Sequence, residues 1–290
     1  MMREGPNGLQ FIDLANAQAT ATICTQGAQL THWQPRSLKY PVTFMAASAQ
    51  YNGGNPIRGG IPICWPWFGP HATDRSKANH GFARNLVWRA GKTEQTTGGA
   101  TRLALALSDD EKSRVLWPHA FSLEYRATIG DVLELELVTT NTGAMPFVIT
   151  EALHTYFRIG DIGAVEVLGL DGTEYADTAD ANKRKTQAGA VHFNGEVDRV
   201  FLNTETACSI IDSSLRRRID ISKSGSRSTI VWNPWSEKAG RLADLGSAPA
   251  EEGSWRQMLC IESANALDNA LSLAPGQSHR LAVQYRVQPW

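Results

Sequence analysis

Two side chains in this sequence stand where proton transfer could be done. Glu262 lies in Leu259-Cys260-Ile261-Glu262-Ser263, a carboxylate embedded in an apolar, strand-like run. A buried Glu is uncommon unless paired or used, and desolvation would raise its pKa towards that of a working general base. The plain alternative is a strand end at which Glu262 meets solvent. His154 lies in Thr150-Glu151-Ala152-Leu153-His154-Thr155-Tyr156-Phe157. If that run is a strand, Thr150, Ala152, His154 and Tyr156 share one face, and Ile149, Leu153 and Phe157 the more apolar other. His154 then sits on the face that can line a cleft, although a hydrogen-bonded structural histidine reads the same way. A carboxylate and an imidazole together suit acid–base chemistry without a cofactor.

A second group of residues suits an anion. Asn55 to Pro70 reads NPIRGGIPICWPWFGP, with three Gly and four Pro in sixteen residues, which excludes a regular helix or a central strand. Its Trp, Phe and Ile residues exclude a simple solvated loop. The expectation is an ordered irregular segment pinned by aromatic burial, and covering one end of a sandwich would suffice to explain it. Arg58, beside Gly59 and Gly60, adds a planar fork suited to phosphate or carboxylate, with glycines that allow a ligand to approach the backbone. A second arginine, Arg84, occurs in Asn79-His80-Gly81-Phe82-Ala83-Arg84. Neither G-x-x-x-x-G-K-[ST] nor G-x-G-x-x-G is present, nor H-E-x-x-H, a Cys/His ligand pair or G-x-S-x-G.

The elements that must position these residues are strands. Leu133, Leu135 and Leu137 alternate with Glu134 and Glu136, and Leu281, Val283, Tyr285 and Val287 alternate with polar neighbours. Similar runs occur at 20–24, 103–107, 121–128, 147–157, 207–211, 217–221, 229–232 and 258–262. Half-buried strands of this kind belong to antiparallel sheets. The best helical signal is Ser108-Asp109-Asp110-Glu111, a capping box opening a short segment ended by Pro118. Strand following strand without regular helices predicts an all-β sandwich. With no linker and no repeat, 290 residues read as a single domain, 1–290.

Composition narrows the partners. Lys plus Arg is 28 and Asp plus Glu 29, so no global field favours nucleic acid or an acidic membrane, and any anion must be held by a local cluster. No run approaches the roughly 18 apolar residues of a membrane span, and the N-terminus has no secretory pattern. Cys24, Cys64, Cys208 and Cys260 are far apart and read as buried, reduced thiols of a cytoplasmic protein.

Six blocks then carry a resemblance. IRGGIPICWPWFGPH (57–71), NHGFAR (79–84), EALHTYF (151–157), EVDRVF (196–201), VWNPW (231–235) and CIESAN (260–265) resemble, in order, the glucose-6-phosphate 1-epimerases, or hexose-6-phosphate mutarotases, of the aldose 1-epimerase superfamily. The stretch 172–190 carries little of that signal. The resemblance implies a mainly antiparallel galactose mutarotase-like β-supersandwich with a cleft on a concave sheet, and no cofactor or metal. It implies a hexose 6-phosphate as substrate. A sandwich of this size should be self-sufficient as a monomer. By position, His154 looks like the general acid and Glu262 the general base. Asp198 and His80 look like sugar contacts, and Arg58 and Arg84 like phosphate contacts with Asn79 beside them. Trp65, Trp67, Trp232 and Trp235 are expected to brace the loops around the sugar. Those roles require His154 charged while Glu262 is ionised, which a carboxylate such as Asp198 near the imidazole would support. A non-catalytic sugar-phosphate binder, a mutarotase of unphosphorylated aldoses and a glycosidase using Asp198 and Glu262 are the competing readings.

Overall fold

The computed structural model describes residues 1–242, 244–245 and 253–290. Its main elements are two antiparallel sheets. One has nine strands in the order Val191–His192, Val165–Leu168, Cys208–Asp212, Arg217–Ser224, Ser278–Pro289, Val132–Asn141, Phe121–Ile129, Thr101–Ser108 and Arg89–Gln95. The alternating runs form its centre. Leu133, Leu135 and Leu137 lie opposite Tyr285, Val283 and Leu281, all buried on the inner face. The intervening Glu136 turns outward to Arg126 and Arg280. Each such buried side chain contributes about 1.5–3 kcal/mol, so period-two alternation decides which face is core.

The other sheet has eight strands. Seven run in the order Lys183–Thr186, Glu174–Asp177, Val197–Phe201, Ser228–Asn233, Met258–Asn265, Glu151–Leu153 and Ile63–Cys64, and Tyr156–Arg158 also pairs with Met258–Asn265. One face packs on the nine-stranded sheet through Leu153, Phe157, Phe201, Val231, Leu259 and Ile261. The opposite face carries a second cluster containing Ala152, Tyr156, Val200, Ile230, Trp232 and Cys260, with Phe44 and Ile57 packed over it. Ser228–Asn233 and Met258–Asn265 are therefore buried along their whole length. This explains why they read as continuous rather than alternating apolar runs. A four-stranded sheet spanning Met2–Glu4 to Gln29–Pro35 and the pair Phe147–Ile149 with Leu271–Leu273 complete the β-structure.

Two local expectations are corrected, and a stretch left without a reading gains one. The run 147–157 is not one strand: it breaks into Phe147–Ile149, Glu151–Leu153 and Tyr156–Arg158. Its backbone bonds the Pro-rich loop, with Thr150 N donating to Pro66 O, His154 N to Pro62 O and Tyr156 N to Gly60 O. The two faces nevertheless fall as expected, Ile149, Leu153 and Phe157 on the inter-sheet core and Ala152 and Tyr156 on the other side. The helix is Glu111–Leu116, capped by Asp110 rather than Ser108, because Asp110 and Ser113 satisfy each other's backbone N–H groups. The stretch 172–190 supplies the hairpin Glu174–Asp177 and Lys183–Thr186, the edge of the eight-stranded sheet beside Asp198. Lys185 bridges Asp177 and Asp180 there at 2.7 and 2.8 Å, and the run Lys183, Arg184, Lys185 blunts the open edge.

Candidate active site

Strand register builds the site. Tyr156 lies opposite Cys260 and Leu153 opposite Ser263, which brings the intervening His154 alongside Glu262. The imidazole Nε2 stands 3.3 Å from Glu262 Oε1. On the same face Asp198 pairs across to Trp232, which pairs to Cys260. Asp198, Trp232, Cys260 and Tyr156 thus form one row, and Val200, Ile230, Glu262 and His154 the next.

The Pro/Gly/Trp segment forms the wall. Trp65 is fully buried among Phe82, Trp117 and Phe121, with ring centroids 4.5–5.8 Å away. The glycines beside Arg58 serve the chain rather than a ligand. A Cβ on Gly60, at φ 61°, would lie 2.2 Å from Leu30 O, and one on Gly59 2.5 Å from Phe44 O. Gly81 is needed for the same reason, a Cβ there meeting Trp65 O at 1.9 Å. These approaches clamp the 79–84 loop onto the 57–70 loop, with Trp65 N donating to His80 O and Phe82 N to Trp65 O. Trp67 braces the same loop through Nε1 to Ala78 O, and Trp235 packs on Trp255.

A cavity of about 200 Å³ opens between these walls, lined by Pro56, Ile57, Arg58, Pro62, Asn79, His80, Arg84, His154, Tyr156 and Asp244. Five of the seven residues singled out from sequence line it: Arg58, Asn79, His80, Arg84 and His154. Glu262 is buried directly behind His154, and Asp198 lies further along the sheet. His80 takes a left-handed backbone, φ 64°, a conformation that costs about 1–3 kcal/mol in a non-glycine residue and is held by surrounding structure. Its Nδ1 accepts from Gly69 N at 3.2 Å, which puts its hydrogen on Nε2. Burial, then Arg84 and Arg58, press its pKa down to about 3, so it is a neutral donor. Arg84 is anchored by Nη2 to Asn79 O at 2.6 Å. Arg58 donates from Nε to Asp244 at 3.0 Å and from Nη1 to the Tyr156 hydroxyl at 3.0 Å.

The electrostatics reverse one expectation. Burial first, then Asp198, push the Glu262 carboxyl well above its ordinary range, with Arg84 opposing. Burial, His80, Arg84 and Arg58 pull the His154 imidazole well below its own. Asp198 therefore acts on Glu262 rather than holding His154 charged. Both shifts favour the uncharged forms of the two groups. Asp198 is itself raised by burial, with Lys238, 3.4 Å away, opposing; Lys238 also binds Glu196. His154 Nδ1, Glu262 Oε2 and Arg84 Nε are buried with no hydrogen-bond partner among the described residues. An unmet buried polar atom costs about 1–3 kcal/mol.

Sequence reasoning did not single out Tyr156, Asp244 or Lys238. Tyr156 could have been found from its two-residue spacing to His154; Asp244 and Lys238 meet their partners only through tertiary structure.

The aldose 1-epimerase family model matches residues 10–286. A protein of Cenchrus ciliaris named "Putative glucose-6-phosphate 1-epimerase" is 34% identical over 285 residues, covering 95% of this chain and 84% of that protein. A Salmonella typhimurium protein of the same name is 34% identical over 268 residues, covering 92% and 86%. The crystal structure of a "putative mutarotase" from Salmonella typhimurium superposes with a TM-score of 0.91 at 31% identity, covering 100% of this chain and 93% of that one. The fold is the galactose mutarotase-like β-supersandwich, and the chain belongs to the aldose 1-epimerase family.

Proposed function

We propose that the protein interconverts the α and β anomers of a hexose 6-phosphate, glucose 6-phosphate first, by opening and reclosing the sugar ring. The observation that carries this is the Glu262–His154 pair, 3.3 Å apart, with His154 lining a cavity that Arg58 and Arg84 also line and Glu262 buried behind it. Ring opening takes a proton from the anomeric hydroxyl and gives one to the ring oxygen. Glu262 as carboxylate accepts the first and His154 as imidazolium donates the second. Rotation about C1–C2 and closure on the other carbonyl face reverse both transfers and reset the pair. The active form carries the same single proton as the free pair, moved from carboxyl to imidazole. A phosphate dianion beside Arg58 favours that move, because it offsets a guanidinium charge that acts against His154, whereas Arg84 acts on both members of the pair. His80 Nε2–H and Asp198 are assigned to sugar hydroxyls, and Asn79 to the phosphate end.

One observation favours a second reading, a mutarotase of unphosphorylated aldoses: Asp244 already compensates part of the Arg58 charge. Anomer exchange measured in parallel on glucose 6-phosphate and free glucose separates the two. Under the phosphate reading, Arg58→Ala and Arg84→Ala each raise KM for glucose 6-phosphate by about tenfold or more, as expected for losing a charged hydrogen bond, and leave free glucose nearly unchanged. Equal effects on both sugars would remove the phosphate assignment. The working state we assign is a cytoplasmic monomer with residues 1–290 acting as one domain; sedimentation tests the first part.

A further inference from the structure

Tyr156 touches both halves of the site. It is buried, on the same face as His154, and its ring lies parallel to the imidazole with centroids 4.7 Å apart and planes 10° from parallel. Trp232 packs edge-on against both rings, at 6.1 Å from each. At its other end the Tyr156 hydroxyl accepts from Arg58 Nη1 at 3.0 Å.

We propose that Tyr156 is a positioning residue that ties the phosphate-contacting arginine to the acid–base histidine. Its ring sets the plane of the imidazole, and its hydroxyl sets the guanidinium. The inference rests on the reading of Arg58 as a phosphate contact. A ring plane can be fixed by a hydrogen bond on the second nitrogen, as a carboxylate or carbonyl does in many sites. No other described residue supplies that device to His154, whose Nδ1 meets no hydrogen-bond partner among them. The Tyr156 stack and the Trp232 edge take that role and aim Nε2 at Glu262. Arg58, which lines the cavity, is held at two positions, Nε by Asp244 and Nη1 by Tyr156. One side chain thereby fixes the distance between the phosphate end and the reacting end of the sugar, which is what orientation of a bound substrate requires.

The two ends of Tyr156 separate by substitution. Tyr156→Phe keeps the stack and removes the hydroxyl. It is expected to raise KM for glucose 6-phosphate about three- to tenfold, with kcat within twofold of wild type and KM for free glucose unchanged. Tyr156→Leu removes the ring and is expected to lower kcat at least tenfold on both sugars and to shift the pH profile of kcat, with kcat restored in the Phe variant. Tyr156→Phe with an unaltered ratio of the two KM values, or with both raised equally, overturns the hydroxyl half and with it the coupling; because the Phe variant preserves the packing, it decides this even if the Leu variant fails to fold. A folded Leu variant with wild-type kcat overturns the ring half. Arg58→Ala is measured alongside. If it leaves the KM ratio intact, the phosphate reading has failed; if it alters the ratio while Tyr156→Phe does not, only the role of Tyr156 has.

Discussion

Glu262 illustrates how a working residue strains the protein that holds it. Its carboxyl is buried, one oxygen unpartnered, and its pKa is driven up by burial and by Asp198. The sign of the stability effect follows. Below the unfolded value both states hold the proton and the group contributes nothing. As pH rises above it, the unfolded chain releases a proton that the folded chain retains, so stability falls until the folded pKa is passed. Glu262→Gln is therefore expected to raise Tm at pH 7–8, by roughly 2–4 °C per kcal/mol recovered. The gain should shrink towards pH 4.5, while catalysis falls about 10²–10⁴-fold. Thermal melts across that range check it; a Tm that drops at pH 8 would contradict the account. Glu262, Arg58 and Arg84 stood out in sequence because a carboxylate in an apolar run and arginines in aromatic loops are unusual, and His154 by its face of the strand; their roles came from the resemblance. The direction in which burial and neighbours shift the pair was not legible. It depends on charges brought close by the fold, and Asp244, 186 positions from Arg58, carries no local mark of its contact.

At the scale of elements, the strands that carry the site are tied to the opposite sheet by a buried polar link. Glu151 is fully buried beside His154, and its Oε1 accepts from Asn265 at 3.0 Å and lies 3.2 Å from His279 Nε2 on Ser278–Pro289. Burial pushes His279 down, but the Glu151 hydrogen bond and charge outweigh it, and the imidazole ends above its ordinary value. A raised histidine stabilises fully below its unfolded pKa and loses that contribution as pH rises through the folded one. His279→Ala is expected to cost about 1–2 kcal/mol near pH 6, less than breaking a fully buried pair because His279 is only partly buried, and less again at pH 8–9. Denaturant unfolding at the two pH values checks this; a cost independent of pH would rule the charged pair out. The alternating strands of the nine-stranded sheet were legible because one face is wet. The 147–157 run misled because it changes partner along its length, from Leu271–Leu273 to Met258–Asn265, with bonds to the proline-rich loop at Thr150, His154 and Tyr156, and period-two patterning does not report what a strand pairs with.

For the molecule as a whole, the net charge of −1 supplies no general field for an anion, so under the proposed function affinity for a phosphorylated sugar would rest on Arg58 and Arg84. The large scaffold does one thing for the chemistry: it sets two adjacent strands in a register that places an imidazole beside a carboxylate. The central claim is that these two groups transfer the protons of ring opening. The direct measurement is anomer exchange of glucose 6-phosphate by magnetisation-transfer NMR with wild type, His154→Ala and Glu262→Gln at equal concentration. The account predicts exchange well above the buffer rate for wild type and a loss of about 10²-fold or more in each variant, with sugar phosphate still bound. Exchange that persists in both variants would contradict it.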